Sequence, residues 1–225
     1  YDRALKSREQ ALGPDHSSTA ATVNNMALVN DKLGNYEEAL RLYDRALKSK
    51  EQALGPDHPS TAATVNNMAL VNDKLGNYEE ALRLYDRALK SSEQALGPDH
   101  PETAATVNNI AVVHRKLGNY EEALRLYDRA LKSGEQALGP DHPETSATVN
   151  NIAVVNDKLG NYEEALRLYD RALKSKEHAL GPDHTDTADT VHNIAVVHNK
   201  LGNYEEALRL YDRALKSREQ ALGPD

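Results

Sequence analysis

The chain has 225 residues, a formal net charge of −8 at pH 7 and no cysteine, so disulfides and thiolate metal sites are excluded. Its 27 basic residues are interspersed among 35 acidic ones, which argues against a nucleic-acid partner, because binding to phosphates requires clustered lysine and arginine. No apolar run approaches the roughly 18 residues of a membrane span, and we expect no membrane partner and a cytoplasmic location.

One unit of 42 residues is repeated along the whole chain. The segment GNYEEALRLYDRALKS begins at Gly34, Gly76, Gly118, Gly160 and Gly202, and its second half opens the chain at Tyr1. Repetition at a period of this size is typical of a solenoid, which forms one continuous domain of any length. We therefore interpret residues 1–225 as a single repeat array, and as a fragment of a longer protein because Tyr1 falls inside the repeated unit.

Residues 1–12 correspond to the second half of a helix that lacks its first turns and its partner. We expect this partial helix to fray, and the uncapped terminal helices to permit end-to-end self-association. Helix pairs follow, predicted at about 17–54, 59–96, 101–138, 143–180 and 185–222. Because only Gly-Asn separates the two helices of a pair, the pair must be antiparallel.

The first helix of the unit 59–96 is predicted to run from about Pro59 to Leu75. Proline suits the first turn of a helix, where its missing N–H would be unpaired in any case. One side of this helix carries, at helical spacing, Thr61, Ala62, Val65, Met68, Ala69, Asn72 and Leu75. Gly76 ends this helix, since glycine adopts the left-handed cap conformation at low cost.

The second helix is predicted to run from Tyr78 to about Leu96. Asn77 and Glu80 have the spacing of an Asn-x-x-Glu capping box, in which each side chain accepts the other residue's backbone N–H. The apolar face comprises Tyr78, Ala81, Leu82, Tyr85, Ala88, Leu89, Ala95 and Leu96. The charged residues on the opposite side, which we expect to be solvated, are Glu79, Arg83, Asp86, Arg87 and Lys90.

These residues resemble the tetratricopeptide repeat, since Ala81, Tyr85 and Ala88 match its second-helix Ala, aromatic residue and Ala. Val65 replaces the usual tryptophan, and the period is 42 residues rather than about 34. With the motifs TVNNMALV, GNYEEAL, LYDRAL and LGPDHP, the chain is similar to kinesin light chain repeats and to the repeat arrays of fungal nucleotide-binding immune-type receptors. The resemblance implies an all-α, right-handed superhelical solenoid whose first helices line a concave groove that holds protein or peptide segments.

Differences between the repeats concentrate in the first helix, in four columns that begin at Ala21, Asn24, Leu28 and Asp31. Their spacing of three, four and three residues places them on one stripe of the helix, which the resemblance assigns to the groove. Either the stripe diversified because it contacts a ligand, or exposed positions drifted. The charged residues of the second helix do not vary, and this favours ligand contact.

Asn67 and its equivalents are invariant and flank this stripe. An amide both donates and accepts hydrogen bonds, so it can hold an extended peptide backbone of any sequence; the alternative is a bond to the neighbouring repeat. The candidate peptide-binding groove comprises Asn24, Asn25, Asp31, Asn66, Asn67, Asp73, Asn108, Asn109, Val112, Arg115, Asn150, Asn151, Asp157, Asp189, His192, Asn193 and Asn199. We predict a non-enzymatic scaffold that binds proteins or peptides; the alternative is a structural spacer or self-associating module with no groove ligand.

One further column varies outside the stripe, in the second helix, at Arg8, Lys50, Ser92, Gly134, Lys176 and Arg218. Gly134 should cost roughly 1 kcal/mol relative to alanine, because it lies inside a predicted helix.

Histidines also recur, one in each Asp-His loop, at His16, His58, His100, His142 and His184. Stacked helices are about 10 Å apart, whereas zinc requires ligand nitrogens at about 2.1 Å, so we predict that these residues cap the loops and bind no metal. His114 and His198 replace an asparagine on the core side and are expected to be neutral and hydrogen-bonded. The sequence has no glycine-rich phosphate loop and no activated nucleophile, and we predict no cofactor and no catalysis.

Overall fold

A computed structural model describes the chain at residues 7, 10, 11, 13 and 16–222. Over the range 16–222 it forms ten α-helices and no β-strand. In chain order the helices are α1 (Ser17–Lys32), α2 (Tyr36–Leu54), α3 (Pro59–Lys74), α4 (Tyr78–Leu96), α5 (Pro101–Lys116), α6 (Tyr120–Ala137), α7 (Pro143–Leu159), α8 (Tyr162–Leu180), α9 (Thr185–Lys200) and α10 (Tyr204–Leu222). Most of the segment 1–12, for which fraying is predicted, lies outside the described residues.

Odd-numbered helices are the first helices of the repeated units, and even-numbered helices are the second. The two helices of a unit pack against each other, as α1 does with α2 and α9 with α10. A second helix also packs against the first helix of the next repeat, as α2 does with α3 and α8 with α9. Consecutive first helices are in contact too, α1 with α3 and α7 with α9. This packing confirms the predicted all-α solenoid class.

The chain divides into two compact units, Tyr1–Val113 and His114–Asp225. In the first unit the core combines the Tyr43 ring with Ala27 of α1 and Val71 of α3. In the second unit the corresponding core includes Val149, Ala153, Tyr169, Ala172, Val191 and Ala195. Alanine lets neighbouring helices approach closely, and the Tyr43 ring retains no exposed surface. Each unit therefore has a core of small side chains packed around buried tyrosines.

The buried faces are wider than the sequence predicts. Leu84, which we did not assign to the apolar face of its helix, is buried. Thr64 and Val71 on the first helix are buried as well. A first helix within the stack has neighbours on more than one side, so a single apolar stripe underestimates the surface that it buries.

The predicted capping box is wrong at the start of α2, α4, α6 and α8. The Asn77 side chain accepts no hydrogen bond from α4; its Nδ2 donates to Oδ1 of Asn72 at 3.3 Å. The Glu80 carboxylate instead accepts two hydrogen bonds from Arg83, at 2.7 and 2.6 Å. Gly76 has φ +80°, and the backbone N–H of Asn77 donates to the Asn72 carbonyl at 2.9 Å. The end of the first helix therefore holds Asn77 in a turn conformation and engages its amide.

The histidines in the loops cap the first helices, as predicted. Nδ1 of His58 accepts the backbone N–H of Ser60 at 3.1 Å. The same contact measures 3.1 to 3.3 Å at His16, His100, His142 and His184. His114 and His198 are half-buried, and their Nδ1 atoms lie 3.5 and 3.4 Å from the amide nitrogens of Asn119 and Asn203. The predicted hydrogen bonding of these two residues is thereby confirmed.

Candidate functional site

The first asparagine column of the stripe joins neighbouring repeats. Asn24 is half-buried, and its Oδ1 accepts a hydrogen bond from the hydroxyl of Thr64 on the next first helix at 3.0 Å. Asn66 accepts in the same way from Thr106 at 3.4 Å. Asn150 accepts from Thr190 at 3.2 Å. The carbonyl end of these amides is therefore engaged within the chain, beside the surface assigned to the groove.

The second asparagine column behaves differently. Asn25 is exposed, and Asn67, Asn109, Asn151 and Asn193 are half-buried. The side chains of Asn25, Asn67, Asn109 and Asn193 have no hydrogen-bond partner among the described residues. Asn108 and Val112, also candidates, are half-buried on α5. In α1, α3 and α5 the second asparagine of the pair, Asn25, Asn67 or Asn109, is thus the one whose amide is available to a ligand.

The aspartates of the stripe lie at the junctions between repeats. Asp31 is buried, and Nζ of Lys74 in the next unit donates to its two carboxylate oxygens at 2.7 and 2.8 Å. Asp157 is paired with Lys200 in the same way, at 2.7 Å for both oxygens. Asp73 is also buried. The carboxylates of Asp31 and Asp157 therefore face the neighbouring repeat. This contact explains why an aspartate occupies a position that helical periodicity alone places on an exposed stripe.

Arg115 replaces the aspartate in the third of the five repeated helix pairs. It is half-buried, and its Nε atom is buried without a hydrogen-bond partner among the described atoms. Burial and, second, the Asp157 carboxylate raise the pKa of Tyr169 well above its ordinary value, while Arg115 lowers it. Arg115 therefore contributes positive charge at a junction where the other units have a carboxylate or an amide.

The fifth unit carries the most distinctive candidates. Asp189 is exposed and accepts a hydrogen bond from Arg218 at 2.7 Å. The His192 ring packs on Tyr211, with centroids 5.3 Å apart and planes inclined by 56°. Asn199 is exposed. Together with Asn193 these residues combine charge, an aromatic surface and amides in α9 and α10.

The second-helix column that we placed outside the groove reaches the first helices. Lys50 is buried, and its Nζ donates to the Thr64 hydroxyl at 2.7 Å and to the Ser60 carbonyl at 3.0 Å. Burial lowers the pKa of Lys50 below its ordinary value. The contact of Lys50 with the next first helix could not be predicted from the sequence, because helical periodicity describes the faces of one helix at a time. Variation at the same position between repeats was the available signal.

At Ser92, the equivalent of Lys50, the short side chain leaves a cleft of about 160 Å³. The cleft lies between consecutive first helices of the Tyr1–Val113 unit. Its lining residues are Ala62, Ala63, Asn66, Asn67, Ser92, Glu102, Ala105 and Thr106. Two larger depressions of about 700 and 720 Å³ lie along the turns 160–167 and 202–209. Those depressions are wide and open, and they lie away from the asparagine columns.

Some charges of the second helix that we expected to be solvated also join repeats. Arg87 forms an ion pair with Glu51 of the preceding unit, and the Ser91 hydroxyl donates to Asp57 at 3.2 Å. Arg171 and Arg213 pair with Glu135 and Glu177 in the same manner. The invariance of Arg87 therefore has a structural cause, and it no longer counts as evidence that the stripe diversified for binding.

Two classes of site are not found among the described residues. No group of three histidine, aspartate or glutamate side chains in this part of the chain is arranged to hold a metal ion. None of the helices α1–α10 is long and apolar enough to cross a membrane.

Comparison with known proteins shows similarity in sequence and in fold. The sequence model of the tetratricopeptide repeat matches residues 1–52, 19–94, 61–113, 102–178 and 147–220. No curated protein sequence matches the chain. BtubC (BKLC) from P. vanneervenii has a similar structure, with a TM-score of 0.80 and 22% identity over 99% of this chain and 89% of that one.

Two further solved structures are similar. A kinesin light chain-type protein of nearly identical TPR-like repeats from Podosopora anserina gives a TM-score of 0.72 and 21% identity, over 92% of this chain and 98% of that one. MamA from Desulfovibrio magneticus RS-1 gives a TM-score of 0.61 and 14% identity, over 89% of this chain and 96% of that one. At these identities the structural likeness concerns the fold.

Proposed function

The chain belongs to the tetratricopeptide repeat family, and on this premise we propose that it is a scaffold that binds protein or extended peptide segments along its first helices. The proposed role is binding and not catalysis, because near-identical repeats present the same groups several times, whereas an active site requires an asymmetric set of groups. The proposal includes a cytoplasmic location, with which a chain without cysteine is compatible.

The observation that carries the proposal is the set of amides without partners. In the Tyr1–Val113 unit, Asn25, Asn67 and Asn109 occupy the same position on consecutive first helices and have no hydrogen-bond partner among the described residues. Consecutive packed helices lie about 10 Å apart, and an extended peptide advances about 3.3 Å per residue. One amide would therefore meet every third residue of a peptide laid across the first helices, and could bond its backbone whatever its sequence.

The remaining candidates divide into two groups under this proposal. Val112, Arg115, Asp189, His192 and Asn199 would distinguish one segment of the ligand from another, because they lie in columns that differ between repeats. Asp31, Asp73 and Asp157 are buried at the junctions and would act indirectly, by holding consecutive first helices in place. Asn24, Asn66 and Asn150 would do the same through their threonine contacts.

The test compares three forms of the chain as bait in cell extract. The groove variant carries Asn25→Ala, Asn67→Ala and Asn109→Ala, which remove the amides and favour the helix. The control variant carries Glu79→Ala and Lys90→Ala on the exposed side of α4. The proposal requires a partner that is retained by the wild type and by the control but is lost by the groove variant. A partner retained by all three forms would contradict it.

Self-association is the second candidate, and one observation favours it. On α10 the side chains of Tyr204, Leu208 and Leu215 are 64%, 69% and 55% exposed. Their equivalents on α8 are partly buried against the core of the His114–Asp225 unit. A second copy could cover the α10 side chains as a neighbouring helix covers those of α8. Sedimentation equilibrium of the wild type and of Leu208→Glu tests this, and a strict monomer at high concentration would exclude it.

A further inference from the structure

At two junctions a lysine of the second helix fills the space between consecutive first helices. Nζ of Lys50 is held by the Ser60 carbonyl and the Thr64 hydroxyl, at 3.0 and 2.7 Å. Nζ of Lys176 is held by the Asp186 carbonyl and the Thr190 hydroxyl, at 3.1 and 2.9 Å. Each ammonium group therefore binds a carbonyl in the first turn of the next first helix and a hydroxyl one turn later.

The junction at Ser92 has the same acceptors without the lysine. The equivalents of Ser60 and Thr64 are Glu102 and Thr106, and both line the cleft of about 160 Å³. The single proton of the Thr106 hydroxyl is shared between the Glu102 carbonyl at 3.0 Å and Oδ1 of Asn66 at 3.4 Å, so the lone pairs of its oxygen are left to accept. The cleft thus retains the two acceptors that bind an ammonium group at the other two junctions.

The chemistry of the walls also suits a lysine side chain. Methyl groups of Ala62, Ala63 and Ala105 line the cleft, and the methylene stem of lysine packs along apolar surface while its charged end binds polar groups. Glu102 adds a carboxylate where the Lys50 junction has Ser60. At the Lys176 junction the equivalent residue is Asp186, whose charge raises the pKa of Lys176 against the larger lowering by burial. A carboxylate at this position therefore interacts favourably with an ammonium group held there.

We propose that the Ser92 cleft binds the ammonium end of a lysine side chain of the ligand, in the place that Lys50 and Lys176 occupy at other junctions. The inference rests on the proposed function, in which a peptide lies along the first helices. It adds a preference for lysine at the ligand residue that meets the junction between α3 and α5. Junctions occupied by an internal lysine have no such preference.

The test uses a small probe, so that it does not require the natural partner. Saturation-transfer NMR compares Nα-acetyl-lysine methylamide with Nα-acetyl-norleucine methylamide, which has a similar stem without the charge. With the wild type, the transfer to the lysine probe is expected to exceed that to the norleucine probe several-fold. Equal transfer to the two probes would overturn the proposal.

Variants then locate the bound probe. Ser92→Lys places an internal lysine in the cleft and is expected to reduce transfer to the lysine probe by at least half. Glu79→Gln changes the net charge by the same amount on the exposed side of α4 and should leave the transfer unchanged. If Ser92→Lys and Glu79→Gln show the same transfer to the lysine probe, the probe binds elsewhere and the proposal is wrong. Ser92→Met fills the cleft without charge and gives the same test if the lysine variant does not fold.

The two proposals can fail separately. The chain could show no preference for the lysine probe and still retain a partner that requires Asn25, Asn67 and Asn109. That result would reject lysine binding in the Ser92 cleft and leave the proposal of peptide binding intact. Lysine binding in the Ser92 cleft without any partner that depends on these amides would support the cleft and reject the groove.

Discussion

Lys74 donates two hydrogen bonds to the carboxylate of Asp31 in the preceding unit, at 2.7 and 2.8 Å. The Asp31 side chain is 5% exposed and that of Lys74 is 36% exposed. The same ammonium group lies 6.0 Å from the centre of the Tyr36 ring, within reach of a cation–π interaction. Asp157, Lys200 and Tyr162 repeat this arrangement in the compact unit His114–Asp225. The contact therefore joins adjacent repeats through a charge pair with one largely buried partner.

Replacing Lys74 with methionine is expected to lower the free energy of unfolding by about 1–3 kcal/mol, because the Asp31 carboxylate would remain buried without its donor. Urea unfolding followed by circular dichroism measures the change. Lys48→Met is the matched control: Lys48 pairs with Asp44 within one helix, and both side chains are more than half exposed. Such a pair contributes about 0–1 kcal/mol. Equal effects of the two substitutions would contradict the structural role of Lys74.

Arg115 interrupts this series of charge pairs, and its replacement tests the consequence. Arg115 and Lys158 are separated by the same 43 residues as Asp31 and Lys74, and Lys158 has no ion pair with another described residue. Arg115→Asp is therefore expected to stabilise the chain by about 1 kcal/mol, since it removes a buried unpaired Nε and provides Lys158 with a carboxylate. Thermal unfolding measures the gain.

The partner residue provides the control for that substitution. In a Lys158→Met background, Arg115→Asp would place a carboxylate at the junction without its lysine, and the gain should disappear or reverse. A gain of the same size in both backgrounds would show that the aspartate acts through another contact. A double-mutant cycle over Arg115 and Lys158 separates the two cases.

The sequence predicts the helices and their order because each unit carries its own signals. Gly76 takes a positive φ at the end of its helix, and the Tyr43 ring is buried in the core as the family pattern implies. The contacts between units were not predictable in this way. Arg87 reaches Glu51 of the preceding unit and Lys50 reaches Thr64 of the next, and helical periodicity describes only one helix at a time. The Asn77 capping box failed for a related reason, since Asn72 of the adjacent helix engages the amide.

The buried lysines predict a rise in stability at alkaline pH. Burial lowers the pKa of Lys50 from its ordinary value of 10.5; burial likewise lowers that of Lys176, against smaller raising effects of Asp186 and Asp189. Between the lowered value and 10.5 the unfolded chain binds more protons than the folded chain, so the free energy of unfolding increases with pH in this window. The double variant Lys50→Met/Lys176→Met should lack this increase.

Urea unfolding at a series of pH values below 10.5 tests the lysine prediction. The difference in unfolding free energy between wild type and double variant should shift in favour of the wild type as the pH rises through the window. Lys48→Met/Lys132→Met, at positions where the lysines are about 70% exposed, is the control and should follow the wild type. A constant difference across the window would mean that Lys50 and Lys176 titrate alike in the folded and unfolded chain.

The buried tyrosines predict the opposite dependence at higher pH. Burial, with a second contribution from the Asp31 carboxylate, raises the pKa of Tyr43 from 10.0 to about 12. The unfolded chain therefore releases this proton first, and the stabilising effect of a neutral tyrosine is lost as the pH rises through 10.0 towards 12. Tyr43→Phe should lack this loss. Tyr43→Phe should also cost little stability at neutral pH, because the Tyr43 hydroxyl is buried without a hydrogen-bond partner among the described residues.

Phenolate absorbance and circular dichroism, followed together in an alkaline titration, check both predictions for Tyr43. Ionisation of Tyr43 that precedes the loss of helical signal would contradict the prediction.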